Sequence, residues 1–318
     1  MPKQSDSEPT ATGEVVRGKG EIRERVAFES ARRARLAVPA FAGGVLYLLG
    51  SITSASTLKG LPTVGVLQGL APALEGKPNP AVSPRAAEIR FYDHHSSGLI
   101  AGALLGAIAL VILLFVLLFL YENARFRRPQ TAPVTRWFVL VGGIGLPLLT
   151  LVGGIVQALD AHSFVSGHDF TTHAVESALT KNGLYEVLGY VTPLCALAFV
   201  GGMIAVMVPT VRVGLQPRWL GIVGGAAAFI LLIPSEQLSL ITAFWMVATG
   251  ILLMGRMPGG DPPAWAAGEA RPWPSQATVR AERAQQRGRG RGRDTVPEPL
   301  APVPNGEGQK RRRRKRGK

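Results

Sequence analysis

The chain contains a single cysteine, Cys195, and it lies within an apolar run. An intramolecular disulfide, a zinc ribbon and a Cys-x-x-Cys redox pair are therefore excluded, and the residue reads as a small core group. Charge is scarce as well: 18% of the 318 residues are Asp, Glu, Lys or Arg, against 47% hydrophobic, and the apolar residues fall in long unbroken blocks. That pattern excludes an ordinary soluble domain of this length and points to lipid as the solvent. The apolar blocks contain no histidine, which argues against haem held between two histidines inside the membrane. The HExxH helix, the Cys/His ribbon and the acidic calcium loop are missing too.

The apolar blocks set the architecture. A bilayer core of about 30 Å needs roughly 20 apolar helical residues. The segments Ser97 to Tyr121, Trp137 to Leu159 and Leu184 to Val208 meet that requirement, and an earlier one runs from Leu36 to about Thr53. The stretch from Trp219 to Met254 is 36 residues, about 54 Å as one helix, which is too long for a single crossing. Pro234-Ser235-Glu236-Gln237 divides it into two short helices joined by an outer turn, the first of which is short enough to be re-entrant. Upstream, the first thirteen residues are too polar to fold. The charge-dense stretch from Glu21 to Leu36 reads as a cytoplasmic helix leading into the first span rather than as a cleaved signal peptide.

Lys and Arg fix the orientation. Residues 1–35, 122–136, 209–218 and 255–318 carry 8, 4, 2 and 16 of them, whereas residues 54–96, 160–183 and 234–237 carry 4, 1 and 0. Six spans with both termini in the cytoplasm satisfy the positive-inside rule at every loop; five spans would put the most basic segment outside. The expected fold is thus an all-α polytopic membrane bundle of six transmembrane helices. It comprises a cytoplasmic segment at 1–35, a transmembrane domain at 36–255 and a disordered basic tail rich in Pro, Gly and Arg at 256–318. Gly102 with Gly106, and Gly221 with Gly225, have the small-xxx-small spacing of close helix packing in lipid, and the Val-Gly-Gly tripeptides at 141, 152, 200 and 223 suit the same role. Trp137, Trp219 and Tyr121 fall at span ends, where amphipathic aromatics favour the headgroup zone.

All five histidines fall on the outer side: His94 and His95 before the second span, and His162, His168 and His173 in the loop after the third. Asp93, Asp160, Asp169, Glu176 and Glu186 share that face, and imidazole with carboxylate suits a divalent transition metal. His173 and Glu176 lie at i and i+3. His94, His95, His162, His168, His173 and Glu176 are the candidate ligands, set against the plainer reading of histidine as an ordinary outer-loop residue; no cofactor is required. A small transporter or channel subunit would instead use Gln157, Asp160, Glu186 and Glu236, polar groups at or near the outer ends of spans. The spans carry almost nothing else ionisable, which disfavours proton-coupled transport.

The tail contains Arg287-Gly-Arg-Gly-Arg-Gly-Arg293 and Lys310-Arg-Arg-Arg-Arg-Lys-Arg316. Basic clusters beside a cytoplasmic membrane face bind anionic lipid headgroups; RNA or the ribosome is the alternative partner, although neither run has interleaved aromatics for base stacking. Six spans, the inner-loop sequence RFRRPQ and the segment PGGDPPAWAAGEARPWPS together resemble multi-pass membrane proteins of high-GC, actinobacterium-like bacteria, over roughly residues 30 to 275. That resemblance carries no activity and no site residues. The tail is also similar in kind to those of Oxa-type insertases, but no arginine lies in the middle of an apolar block here, so that identity is rejected. The sequence reading is a non-enzymatic multi-pass protein of the cell membrane whose outer face senses or binds something and whose tail holds the inner leaflet, with an outer-face metal enzyme and a transporter or channel subunit as alternatives, and with lipid, and a second copy of the chain in a homo-oligomer, as partners. Deleting residues 287–318 is predicted to weaken binding to anionic vesicles in a salt-sensitive manner without preventing insertion; the check is vesicle co-sedimentation between 50 and about 500 mM salt, where an unchanged salt response would exclude the role.

Overall fold

A computed structural model describes residues 19–62, 74–76, 82–83, 85–167, 170–171, 174–175, 183–233, 239–258 and 260–273. Among these the regular structure is helical: α1 (Lys19–Leu58), α2 (Ala86–His94), α3 (Ser96–Arg127), α4 (Val134–Gly167), α5 (Gly183–Arg212), α6 (Arg218–Ile230), α7 (Ser239–Leu253) and α8 (Pro263–Ala267). Four helices, α1, α3, α4 and α5, are long and apolar enough to cross a membrane. At 1.5 Å per residue the 32 residues of α3 extend about 48 Å, more than a bilayer core. The 13 and 15 residues of α6 and α7 extend only about 20 and 22 Å. Large apolar side chains point outward along these helices, among them Ile222, Leu194, Ile144 and Phe115, all more than half exposed. So much continuous apolar surface suits hydrocarbon rather than water.

Several boundaries differ from expectation. The helix expected at Glu21 to Leu36 and the first span are one continuous helix, because Pro39 interrupts a single backbone hydrogen bond and leaves both flanks helical. The sequence from Ala86 to Gly98 reads as an outward helical extension of the second span; it is helical, but the chain breaks at His95, and α2 packs on α4 instead. Helix α4 runs on to Gly167, so Asp160 and His162 lie on its last turns and His162 is not a loop residue. The apolar stretch after Trp219 is divided, with α6 ending at Ile230 and α7 beginning at Ser239. Packed chain also continues past residue 256, the expected start of the disordered tail. Met257, Ala264 and Trp265 are buried, and the compact unit extends to Trp273. Tyr121 is buried against the bundle, and its hydroxyl donates to Ala132 O in the turn to α4. The polar first thirteen residues, the Pro234 to Gln237 turn and both basic runs lie outside the described residues.

Helix α1 packs along α3 and α7, α4 packs along α3 and α5, and α6 bridges α5 to α7. Glycine permits the closest of these approaches. At Gly250 a Cβ would lie 2.5 Å from the backbone nitrogen of Phe41, and at Gly44 a Cβ would lie 2.8 Å from Ala243 O, so α1 and α7 touch backbone to backbone. Of the expected pairs, Gly102 faces Ser54 and Gly50 on α1 and Gly221 faces Val211, whereas the space beside Gly106 and Gly225 would admit a Cβ. Gly224, which abuts Trp245, takes the place expected for Gly225. In lipid no hydrophobic force draws helices together, so this contact area supplies much of the packing energy. Gly250→Ala should therefore destabilise the fold by about 1 to 3 kcal/mol through overpacking. Gly225→Ala should stabilise it by about 0.5 to 1 kcal/mol through helix propensity. Unfolding in mixed micelles titrated with dodecyl sulfate measures both, and effects of the same sign would refute the assignment.

Candidate functional site

The outer polar groups meet where α2 lies across α4. Ile89 and Tyr92 of α2 pack on Ala161, Phe164 and Val165 of α4, with Val175 completing the apolar patch. Around it, His162 Nδ1 donates to Asp93 Oδ1 at 2.9 Å, and the Tyr92 hydroxyl hydrogen-bonds the Gln157 side chain. Burial pushes the Tyr92 phenol above its ordinary value and Glu88 adds to that, while Arg85 and the Gln157 hydrogen bond oppose it. His95 at the α2–α3 break stacks on Phe91 with ring centroids 4.1 Å apart, and its Nδ1 donates to Phe91 O at 3.0 Å. The His94 and His95 rings lie 5.1 Å apart, edge to face.

Of the six candidate ligands, His94, His95 and His162 are described, and His168, His173 and Glu176 lie outside the described residues. Among the described residues no three His, Cys, Asp or Glu side chains converge on a point that could hold a metal. His162 is mostly exposed and engaged with Asp93, and His95 is bonded to Phe91 of α2. Of the transport candidates, Gln157 and Asp160 lie on α4, one turn apart, with Gln157 turned to Tyr92. Glu186 lies on α5, where its side chain is outside the described residues, as is Glu236.

The most elaborate polar cluster occupies the opposite end of the bundle. Along the first turns of α1 the side chains of Ile22, Val26, Glu29, Arg33, Ala37 and Ala40 recur every three or four residues on the packed face. That periodicity carries a carboxylate and a guanidinium inward with the apolar groups. Glu29 meets Arg127 from the last turn of α3 in a two-pronged pair, Nη1 to Oε1 at 3.1 Å and Nη2 to Oε2 at 2.6 Å. The side-chain exposures are 2% for Glu29 and 0% for Arg127, so the pair is desolvated. Arg127 also donates to Asn123 O and, through Nε and Nη2, to Ala264 O of α8. Arg33 pairs with Asp261 through both terminal nitrogens and donates to Leu252 O at the end of α7.

Trp265 lies against this cluster. Its ring stacks on Phe119 at 5.7 Å, the Arg33 and Arg127 guanidinium carbons sit 5.0 and 5.5 Å from its centroid, and its Nε1 donates to Leu215 O in the α5–α6 connection. Both guanidiniums therefore gain cation–π attraction in a desolvated setting. Arg271 N donates to Val213 O, fastening the same connection a second time. Of the six guanidinium nitrogens of Arg33 and Arg127, only Arg33 Nε lacks a partner among the described residues. So nearly complete a set of internal partners makes this a clamp rather than a ligand pocket.

The sequence reading missed the clamp because it took residues 21–36 as a solvated helix. The signal was present: Glu29 and Arg33 fall on the stripe that Ile22, Val26, Ala37 and Ala40 define. No protein-family model, curated protein or solved structure matches the chain.

Arg127→Met removes the two-pronged partner of Glu29 and leaves it only the half-buried Arg25, whose Nε donates to Oε1 at 3.1 Å; the protein should be destabilised by up to about 3 kcal/mol, and Glu29→Leu with Arg127→Met should recover most of the loss. Micellar unfolding of the single and double variants tests this. A double variant no more stable than Arg127→Met would mean that the ion pair contributes net stability of its own.

Proposed function

We propose that this chain is a non-enzymatic, six-span protein of the cell membrane, with both termini in the cytoplasm, whose inner end holds the base of a polybasic tail against anionic headgroups. The observation that carries the reading is the desolvated Arg127–Glu29 pair, which joins the start of α1, the end of α3 and, through Ala264 O, the α8 segment on one end of the bundle. The α5–α6 connection is tied to that same end by Trp265 and Arg271. Six crossings bring all of these segments to one side, and they are the segments rich in Lys and Arg. Under this reading α6 and α7, each shorter than the bilayer core, complete their crossing through the flanking residues or through local thinning of the bilayer.

The basic runs follow Trp273 in the sequence, and each basic residue close to an anionic surface adds about 1 kcal/mol of attraction. The outer Asp93–His162 and Tyr92–Gln157 contacts then serve to hold α2 down on α4 as a cap. Single cysteines placed in a Cys195→Ala background at exposed positions test the topology. Lys59→Cys and Ser163→Cys should react with a membrane-impermeant maleimide in intact cells. Gln130→Cys and Glu269→Cys should react only after lysis. Labelling of Glu269→Cys in intact cells would overturn the reading.

A further inference from the structure

We infer that the cleft between α3 and α4 is a binding site for one anionic phospholipid, an acyl chain lying in the cleft and the phosphate held by Arg125 and Arg136. The cleft has a volume of about 670 Å³, and its walls are apolar throughout, with Leu104, Ile108, Phe115 and Leu118 among the residues on α3 and Ile144 and Leu148 among those on α4. Its residues run from 104 to 118 on one helix and from 140 to 151 on the other. At 1.5 Å per residue the longer wall extends about 21 Å, the reach of a lipid chain from the interface toward the bilayer centre. The mid-span outward faces are open, Phe115 and Ile144 being 55% and 56% exposed, so a chain can enter sideways from the bilayer.

Charge at one mouth of the cleft selects the headgroup. On α3 the wall residues 108, 111, 115 and 118 continue at helical spacing to Glu122 and Arg125; on α4 the wall residues 148, 144 and 140 continue to Arg136. Arg125 Nη1 donates to the Tyr121 hydroxyl at 3.3 Å, and that hydroxyl donates to Ala132 O, which brings the Arg125 head to the turn that begins α4. Arg136 follows one helical turn later, its backbone nitrogen bonded to Pro133 O. Both arginines are exposed, and Glu122 is already paired with Arg32 at 2.8 Å, so the mouth is net positive. Exposed Trp137 stands beside Arg136, where an indole suits the headgroup zone. Two guanidiniums above an apolar cleft match a phosphate above a hydrocarbon chain.

That the lipid comes from the inner leaflet rests on the topology proposed above; the site itself does not, because its chemistry is the same in either orientation. The test is native mass spectrometry of the full-length protein in detergent micelles containing equal amounts of dioleoylphosphatidylglycerol and dioleoylphosphatidylcholine. The expected result is preferential retention of one phosphatidylglycerol. R125Q/R136Q should lower the ratio of glycerol to choline lipid retained by about tenfold. I144W, on the open wall, should reduce retention of both lipids by filling the cleft. The basic tail is common to all three proteins, so differences among them report the cleft, and I144W keeps the test decisive if the double variant does not fold. Equal retention of the two lipids by the unaltered protein, or retention by I144W at the unaltered level, would overturn the proposal. So would a lipid-free dimer that I144W converts to monomer, since a second copy would then be the occupant. Labelling from the wrong side in the cysteine experiment would move the lipid to the other leaflet without touching this result.

Discussion

A buried carboxylate and a buried guanidinium cannot be separated at acceptable cost, and much of one end of this protein is arranged around that fact. Glu29 and Arg127 belong to helices whose positions in the chain are far apart, and each is nearly inaccessible to solvent. Removing either from water would cost several kcal/mol were the other not there to meet it. The two-pronged geometry also fixes how α1 and α3 can be aligned, because a shift of one residue along either helix would break both hydrogen bonds. Arg33 and Asp261 extend the same constraint to α7 and to the segment that follows it.

Within the bilayer the constraint is of another kind. Helices in hydrocarbon gain little from burying apolar surface against each other, so association depends on how closely their backbones approach. Gly44 and Gly250 let α1 and α7 touch, and Gly142 and Gly202 do the same for α4 and α5. The polar clamp at one end and the glycine contacts along the spans are complementary: the first fixes alignment and the second supplies contact area. At the other end, α2 closes over α4 with a small apolar patch framed by Tyr92–Gln157 and Asp93–His162. Among the described residues that patch is smaller than the main core, and its polar contacts are partly exposed.

This division also explains where chemistry was sought and where it was found. Histidines attract notice in a sequence because they ligate metals and titrate near neutrality. Of the described ones, His95 is bonded to Phe91 of α2 and His162 to Asp93, and exposed His94 meets the His95 ring edge to face. Arginines near a span end read as topology signals, and Arg125 and Arg136 fit that reading. Arg127, two residues from Arg125, points the opposite way and becomes the centre of the clamp. A one-dimensional count of positive residues cannot separate these roles, because helical direction alone decides which arginine faces outward and which meets Glu29.

Apolar blocks of roughly 20 residues, the proline-centred break after Ile233 and the scarcity of intramembrane charge were enough to establish an all-helical membrane protein. The physical reason is that the bilayer imposes a length and a polarity that each segment must satisfy by itself. Helix boundaries were less legible, since α1 and α4 continue past the apolar residues on hydrogen bonds that hydropathy does not register. What only the tertiary structure decided was pairing: Glu29 with Arg127, Arg33 with Asp261, Trp265 beneath both guanidiniums, and Gly224 rather than Gly225 at the close contact. Each of these depends on the rotation and alignment of helices distant in the chain, and a local pattern carries no information about its partner until the two surfaces meet.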